Sequence, residues 1–193
     1  MDKCIDMGAL VDKSQLDTCE EYVQSAIDEG ADVYQPEMAK KECETRNQKE
    51  GCYYYPPTMV TNVSTVSRVV REEIFGPVLA VMRFRTAKEA VALANNTAYG
   101  LGASVWSESL PVSLEVALSV KAGAVWINAH NLFDAAAGFG GFRESGYGRD
   151  GGKEGLYEYR FVLKKVYEYR GRGREKPKKH IKLVLSQNGS FSA

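Results

Sequence analysis

Leu16, Cys19, Val23, Ala26 and Ile27 recur at the three- and four-residue spacing of one helical face, so the first predicted element is an amphipathic helix. Ser14 and Asp17 stand three apart at its start and predict a capping box, and Gly30 supplies the stop. Asp32-Val33-Tyr34 reads as a short extended piece. Residues 37–50 are charged and aperiodic, which predicts a solvated loop. Tyr53-Tyr54-Tyr55 run into Pro56-Pro57, which ends any strand there. A clearer rhythm begins at 78. Residues 78–84 are apolar enough to predict a strand covered on both faces. Thr86 and Glu89 form a second capping box ahead of the stripe Ala90, Val91, Ala94. Residues 103–106 predict the next strand. Pro111 opens a helix through Leu114, Ala117 and Leu118, and residues 124–128 predict a third strand. Strand, helix, strand, helix, strand implies right-handed β-α-β crossovers and an α/β fold with a mainly parallel sheet.

The texture changes after Asn128. Eight of the 18 residues from Gly138 to Gly155 are glycine, a composition that lets backbone take left-handed turns and approach a bound group closely. Residues 156–170 read as the end of a helix followed by a strand. They contain Tyr-Glu-Tyr-Arg twice, too little for a repeat architecture.

Composition narrows the function classes. The chain has 193 residues and no net charge, ordinary globular values that exclude wholesale disorder. The balance hides a split. Residues 1–150 carry 14 Lys/Arg against 21 Asp/Glu, while residues 151–193 carry 11 against 4. No apolar run is long enough for a membrane span, and the polar opening predicts no secretory leader, so a cytoplasmic protein is expected. Cys4, Cys19, Cys43 and Cys52 contain no C-x-x-C pair; reduced thiols and no metal cage are expected. Gly146 to Gly151 matches G-x-G-x-x-G, but no strand leads into it and no β-α-β unit follows, so the dinucleotide reading fails its context. The basic run from Arg170 to His180 has no interleaved aromatics or nucleic-acid module around it, and a solvated tail over 171–193 is favoured over nucleic-acid binding. The sequons at Asn62, Asn95 and Asn188 are chance without a secretory route.

Glu72-Glu73-Ile74-Phe75-Gly76-Pro77-Val78 carries candidate chemistry. Two carboxylates and an aromatic stand at a Gly-Pro turn ahead of a strand. The stretch fits a plain strand-entry turn. It also fits a ligand edge, with a carboxylate accepting hydroxyl hydrogen bonds and a ring packing on a flat heterocycle.

Four segments occur in order: Glu73-Ile74-Phe75-Gly76-Pro77; Ala94-Asn95-Asn96 to Tyr99-Gly100-Leu101; Gly123-Ala124-Val125-Trp126-Ile127-Asn128; and Gly138-Phe139-Gly140-Gly141-Phe142-Arg143-Glu144-Ser145-Gly146-Tyr147-Gly148-Arg149. Together they resemble the C-terminal part of the catalytic domain of the aldehyde dehydrogenase superfamily. Gly8-Ala9-Leu10-Val11-Asp12 with Gln15 extends the likeness, and Asp134-Ala135-Ala136-Ala137-Gly138 resembles family 16 most. The resemblance implies a partial catalytic domain over 1–155, a subunit-pairing strand segment over 156–170 and a basic tail over 171–193. It implies NAD or NADP as cofactor, held only weakly by this chain alone, and homo- or hetero-oligomers with aldehyde dehydrogenase-like subunits. Glu73 would accept a hydrogen bond from the nicotinamide ribose and Phe75 would lie against the nicotinamide. Phe139 resembles the aromatic at the aldehyde pocket and Phe133 its neighbour on the wall, although both rings also fit core packing. Asn128, Gly140 and Gly141 resemble structural positions.

The departures from the family concern the reactive groups. Its nucleophilic cysteine precedes the segment that Gly8-Ala9-Leu10 matches, and none of the four cysteines sits in its motif. The general-base glutamate and the cofactor's β-α-β domain also belong to that earlier region. Loss of a covalent nucleophile costs on the order of 10⁴-fold or more in rate. No catalytic residue is therefore assigned, and this chain alone is expected to be inert, as a truncated or alternatively spliced product would be. A non-catalytic module that pairs with full-length subunits is the alternative. Phe161 stands where the family often has an acidic residue facing the arginine equivalent to Arg149.

Overall fold

The 16–27 spacing builds α1 (Lys13–Asp28), which turns Cys19, Val23 and Ala26 into the interior. The chain is described by a computed structural model over residues 7–158. These residues divide into two compact units, one reaching Arg85 and the other beginning at Thr86.

In the first unit α1 starts at Lys13, so Asp12 rather than Ser14 is the cap. Asp12 is extended and its carboxylate accepts the Gln15 N–H at 2.8 Å. Asp17, expected to reach back to the helix start, instead pairs with Lys13 at 2.8 Å. Gly30, at φ +88°, ends the element as expected. β1 (Asp32–Tyr34) pairs antiparallel with β2 (Thr58–Thr61), and β2 pairs parallel with β3 (Val78–Ala80). Pro56-Pro57 therefore precede a strand rather than end one. Their missing N–H groups are harmless there because the ladder begins at Thr58, whose N–H meets the Pro77 carbonyl at 2.8 Å.

The expected loop over 37–50 is mostly helix: α2 spans Glu37–Asn47. It buries no residue, so it imposes no apolar period. Its residues are good helix formers, with Glu42 and Arg46 paired at 2.7 Å. The Asn47 side chain ties its end to the backbone of Tyr54. The short α3 (Arg68–Arg71) leads towards β3. Cys19, Val23, Ala26, Tyr55, Val60, Val69 and Ile74 form the core, with Val60 fully enclosed on the central strand. The strand expected over 78–84 stops at Ala80, and Leu79 and Phe84 lie exposed. An apolar run does not by itself give two covered faces; among the described residues β3 is an edge strand with one neighbour.

The second unit follows the predicted rhythm closely. Thr86 caps α4 (Ala87–Ala94), its hydroxyl accepting the Glu89 N–H at 3.1 Å. β4 (Gly102–Val105), α5 (Leu110–Ser119, with Pro111 in its first turn) and β5 (Ala124–Ile127) make one crossover. The two strands pair parallel, Gly102 opposite Ala124 through Val105 opposite Ile127. α5 buries Ser113 and Ala117, small residues that allow close approach to the strands. The α/β class and parallel pairing are as expected, but the run of three predicted strands is divided between the units: β3 pairs with β2 in the first and β4 with β5 in the second. A 3₁₀ turn over Arg143–Ser145 and a helical run over 152–158 complete the described chain. The predicted strand over 161–166, Phe161 and the 171–193 tail lie outside the described residues. No helix among the described residues is long and apolar enough to cross a membrane.

Candidate functional site

The first cluster sits on the turn between α3 and β3. Ile74 is buried in the core, and the next residue reverses direction: Phe75 has φ +56° and is 68% exposed. A bulky residue in the left-handed region costs about 1–3 kcal/mol, so the surroundings must impose it. They do so from α1. Gln15 Nε2 donates to the Ile74 carbonyl at 2.7 Å and to the Phe75 carbonyl at 3.0 Å. Cys19, one helical turn on, presses against the next position; a Cβ on Gly76 would stand 2.2 Å from its Sγ. Only glycine leaves room for that thiol.

The two carboxylates of the turn have opposite fates. Glu72 accepts the Tyr22 hydroxyl at 2.6 Å and the Arg68 guanidinium at 3.4 Å, and Arg68 also stacks over the Tyr22 ring. The Tyr22 hydrogen bond, joined by Arg68, holds the Glu72 carboxyl below the usual carboxylate range against the opposing effect of desolvation. Glu73 has no hydrogen-bonding partner among the described residues. Its side chain reaches solvent, yet the protein surrounding it removes enough water from the carboxylate to push its pKa up. Glu73 is thus an uncommitted acceptor on the turn that also exposes Phe75.

The second cluster lies in the other unit. Trp126 on β5 is buried, and its Nε1–H donates to the Leu132 carbonyl at 2.7 Å, folding the following loop back over the strand. Phe133 on that loop meets Trp126 edge-on at 5.4 Å and Phe139 edge-on at 5.0 Å. The structure therefore brings Phe133 and Phe139 into ring contact, whereas Glu73 and Phe75 share one turn as near neighbours in the chain. Phe139 packs partly in the core and is fixed by two 2.7 Å backbone bonds to Asp150, whereas Phe133 is half exposed. Asn128, at φ +51°, bridges its side chain to the N–H and carbonyl of Ser107. A Cβ on Gly140 would fall 2.1 Å from the Gly148 carbonyl, and one on Gly141 would fall 2.8 Å from Ser145 Cβ. The pattern of the sequence does not single out His130, whose Nδ1 is 2.9 Å from Ser104 Oγ and whose ring meets Trp126. A lone histidine in an irregular loop carries no periodic signal.

Two of the described thiols are set against nucleophilic activity by burial. Cys19 is fully enclosed, and burial pushes its thiol up; burial does the same to Cys43 on α2. Among the described residues no three His, Cys, Asp or Glu side chains are grouped to hold a metal. An open groove of about 620 Å³ beside α1, lined by Asp17, Glu20, Gln24, Gln35 and Tyr55 among others, includes none of the four candidate residues.

Comparison with known proteins gives this geometry a context. The sequence profile of the aldehyde dehydrogenase family matches residues 1–164. The chain is 39% identical over 158 residues to retinal dehydrogenase 2 of Gallus gallus, covering 82% of this chain and 29% of that protein. It is 41% identical over 159 residues to aldehyde dehydrogenase B of Escherichia coli (strain K12), covering 82% and 30%. A crystal structure of betaine aldehyde dehydrogenase from Staphylococcus aureus in complex with NAD+ superposes with a TM-score of 0.72 at 37% identity, covering 82% of this chain and 31% of that one. The chain thus spans about three tenths of the length of the relatives it matches.

Proposed function

The chain belongs to the aldehyde dehydrogenase family, and on that premise we propose that it supplies the C-terminal part of the catalytic domain of an NAD- or NADP-dependent aldehyde-oxidising enzyme. The observation that supports this reading is an uncommitted Glu73 carboxylate on the same turn as an exposed Phe75 whose backbone is held in a left-handed conformation. These residues suit a nicotinamide riboside: Glu73 accepts from a ribose hydroxyl and Phe75 offers its face to the base. When bound, the cofactor supplies the hydride acceptor for aldehyde oxidation. Phe139 and Phe133 form an aromatic wall for the aldehyde, with Phe139 anchored by Asp150 and Phe133 set edge-on against both Trp126 and Phe139.

These 193 residues by themselves do not turn over aldehydes, because none of Cys4, Cys19, Cys43 and Cys52 sits in the family's nucleophile motif and burial raises the thiols of Cys19 and Cys43. The purified chain mixed with NAD and a panel of aldehydes gives no aldehyde-dependent absorbance of NADH. Sustained turnover that survives serine at all four cysteines overturns this reading.

One observation favours a second reading. Among the described residues β4 and β5 form a sheet of only two strands, and a short sheet favours extension by a further strand. Under this reading the chain associates with full-length aldehyde dehydrogenase-like subunits in the cytoplasm, through residues 156–170. Co-purification with such a subunit supports it, and a strictly monomeric species in sizing experiments counts against it.

A further inference from the structure

Phe75 occupies a conformation that its own sequence disfavours, and the atoms that hold it there come from elsewhere in the chain. Gln15 lies 60 positions away on the first full turn of α1, and its single amide nitrogen bridges two successive carbonyls, those of Ile74 and Phe75. An amide with two N–H donors is suited to such a bridge, since each donor meets one oxygen and the pair fixes the rotation of the peptide between them. That peptide decides where the Phe75 ring points and, one residue earlier, how the turn presents Glu73. Gln15 is half-buried and reaches the turn beside the Cys19 thiol, 3.7 Å from its nitrogen. The remaining constraints act on the residues that follow. Val78 N–H closes on the Gly76 carbonyl at 2.8 Å, and Pro77 is fixed through Thr58.

We infer that Gln15 is a positioning residue for the nicotinamide edge: through the carbonyls of residues 74 and 75 it holds Phe75 in its left-handed conformation and so sets the geometry in which Glu73 and Phe75 face a ligand. This rests on the proposed role of that edge. Gln15 itself is not assigned any contact with the cofactor; its effect passes through the turn.

The test uses the full chain, with backbone couplings of Phe75 that report the sign of φ, amide exchange at Val78, and chemical shifts during titration with nicotinamide mononucleotide. Gln15→Met keeps the bulk and removes both donors. It is expected to take Phe75 out of positive φ, to speed Val78 exchange about 10-fold, as for the loss of about one net hydrogen bond, and to abolish the mononucleotide-induced shift at Glu73. Trp126 resonances stay in place. Gln15→Glu behaves like the methionine variant when ionised. As the pH falls through the carboxyl range, about pH 4, its protonated side chain regains one donor and the Phe75 signature returns, whereas a role in packing alone does not follow the proton. Unchanged Phe75 couplings and Val78 exchange in folded Gln15→Met overturn the inference. If that variant does not fold, absence of pH-dependent recovery in Gln15→Glu overturns it. Failure of the wild-type chain to respond to the mononucleotide instead counts against the proposed role of residues 73 and 75, while the couplings still decide whether Gln15 holds the turn.

Discussion

The turn at residues 73–77 and the glycine-rich stretch at 138–152 are both irregular segments that place an aromatic candidate, but they are held by different means. The first is held by side chains: Gln15 bonds its carbonyls, and the Cys19 thiol fills the space beside Gly76. The second is held by backbone against backbone. A Cβ on Gly123 would stand 1.7 Å from the Gly140 carbonyl oxygen, and one on Gly140 would stand 2.1 Å from that of Gly148. Arg149 adds a side-chain clasp, with Nη1 within 2.7–2.9 Å of the carbonyls of Gly141, Tyr147 and Gly148. A side chain can rotate away from a clash and a peptide cannot, so the two segments should differ in how far a partner change can repair damage.

The largest effect expected is at Gly123. Gly123→Ala forces a methyl into the Gly140 peptide and should destabilise the second unit by about 3 kcal/mol or more, because neither side can yield without moving a strand. Both tryptophans lie in that unit, so a urea titration followed by their fluorescence reads the loss; an unchanged midpoint would break the contrast.

Gly76→Ala should cost less, about 1–3 kcal/mol, and should be repairable. The offending atom is the Cys19 Sγ, and adding Cys19→Ala removes it. The double variant should therefore be more stable than the sum of the two single changes predicts, by about 1 kcal/mol or more in a denaturation cycle. Strict additivity would show that the thiol is not what limits position 76. Arg149→Lys comes next, with an expected loss of about 1–2 kcal/mol. A single ammonium on a flexible stem cannot reproduce the fixed guanidinium geometry against three carbonyls, and the same fluorescence titration measures it.

The smallest effects separate the neighbouring glutamates within the first segment. Glu72 is held below the ordinary carboxylate value of 4.5 by Tyr22 and Arg68, so its contribution to stability is complete above that value and is lost as pH falls through its lowered folded-state pKa. Glu73 is raised by desolvation, so its sign is opposite: ionisation above that value penalises the folded state, and stability returns as pH falls through the window just above it. At neutral pH Glu72→Gln should slightly destabilise the chain, whereas Glu73→Gln should be neutral or slightly stabilising. Thermal melts of both variants across pH 3–7 distinguish the two directions. A carboxylate kept at a cost to stability is what a ligand-binding role leads one to expect.

The elements with a strong local signal were legible in advance. α1, α4, α5, β4 and β5 follow from spacing, the Thr86 cap and the placement of Pro111. α2 was not legible because a helix that buries nothing leaves no apolar period, and β2 was obscured by the two prolines that precede it. At the candidate site the residues of the turn could be named from their order in the chain. The clamp could not, since Gln15 is an ordinary helix residue until the fold carries residues 74 and 75 beside it.

The sequence by itself determined which segments are helix or strand wherever periodicity and caps agreed, and through four ordered motifs it determined the family. Both are short-range properties: a helix face repeats within a few residues, and a motif is read along the chain. Only the tertiary structure decided that β3 joins β2, that Gln15 reaches the carbonyls of residues 74 and 75, and that Glu72 is committed while Glu73 is left open. Each of those outcomes depends on which distant groups compete for the same hydrogen bond or the same space, and that competition exists only once the chain has packed.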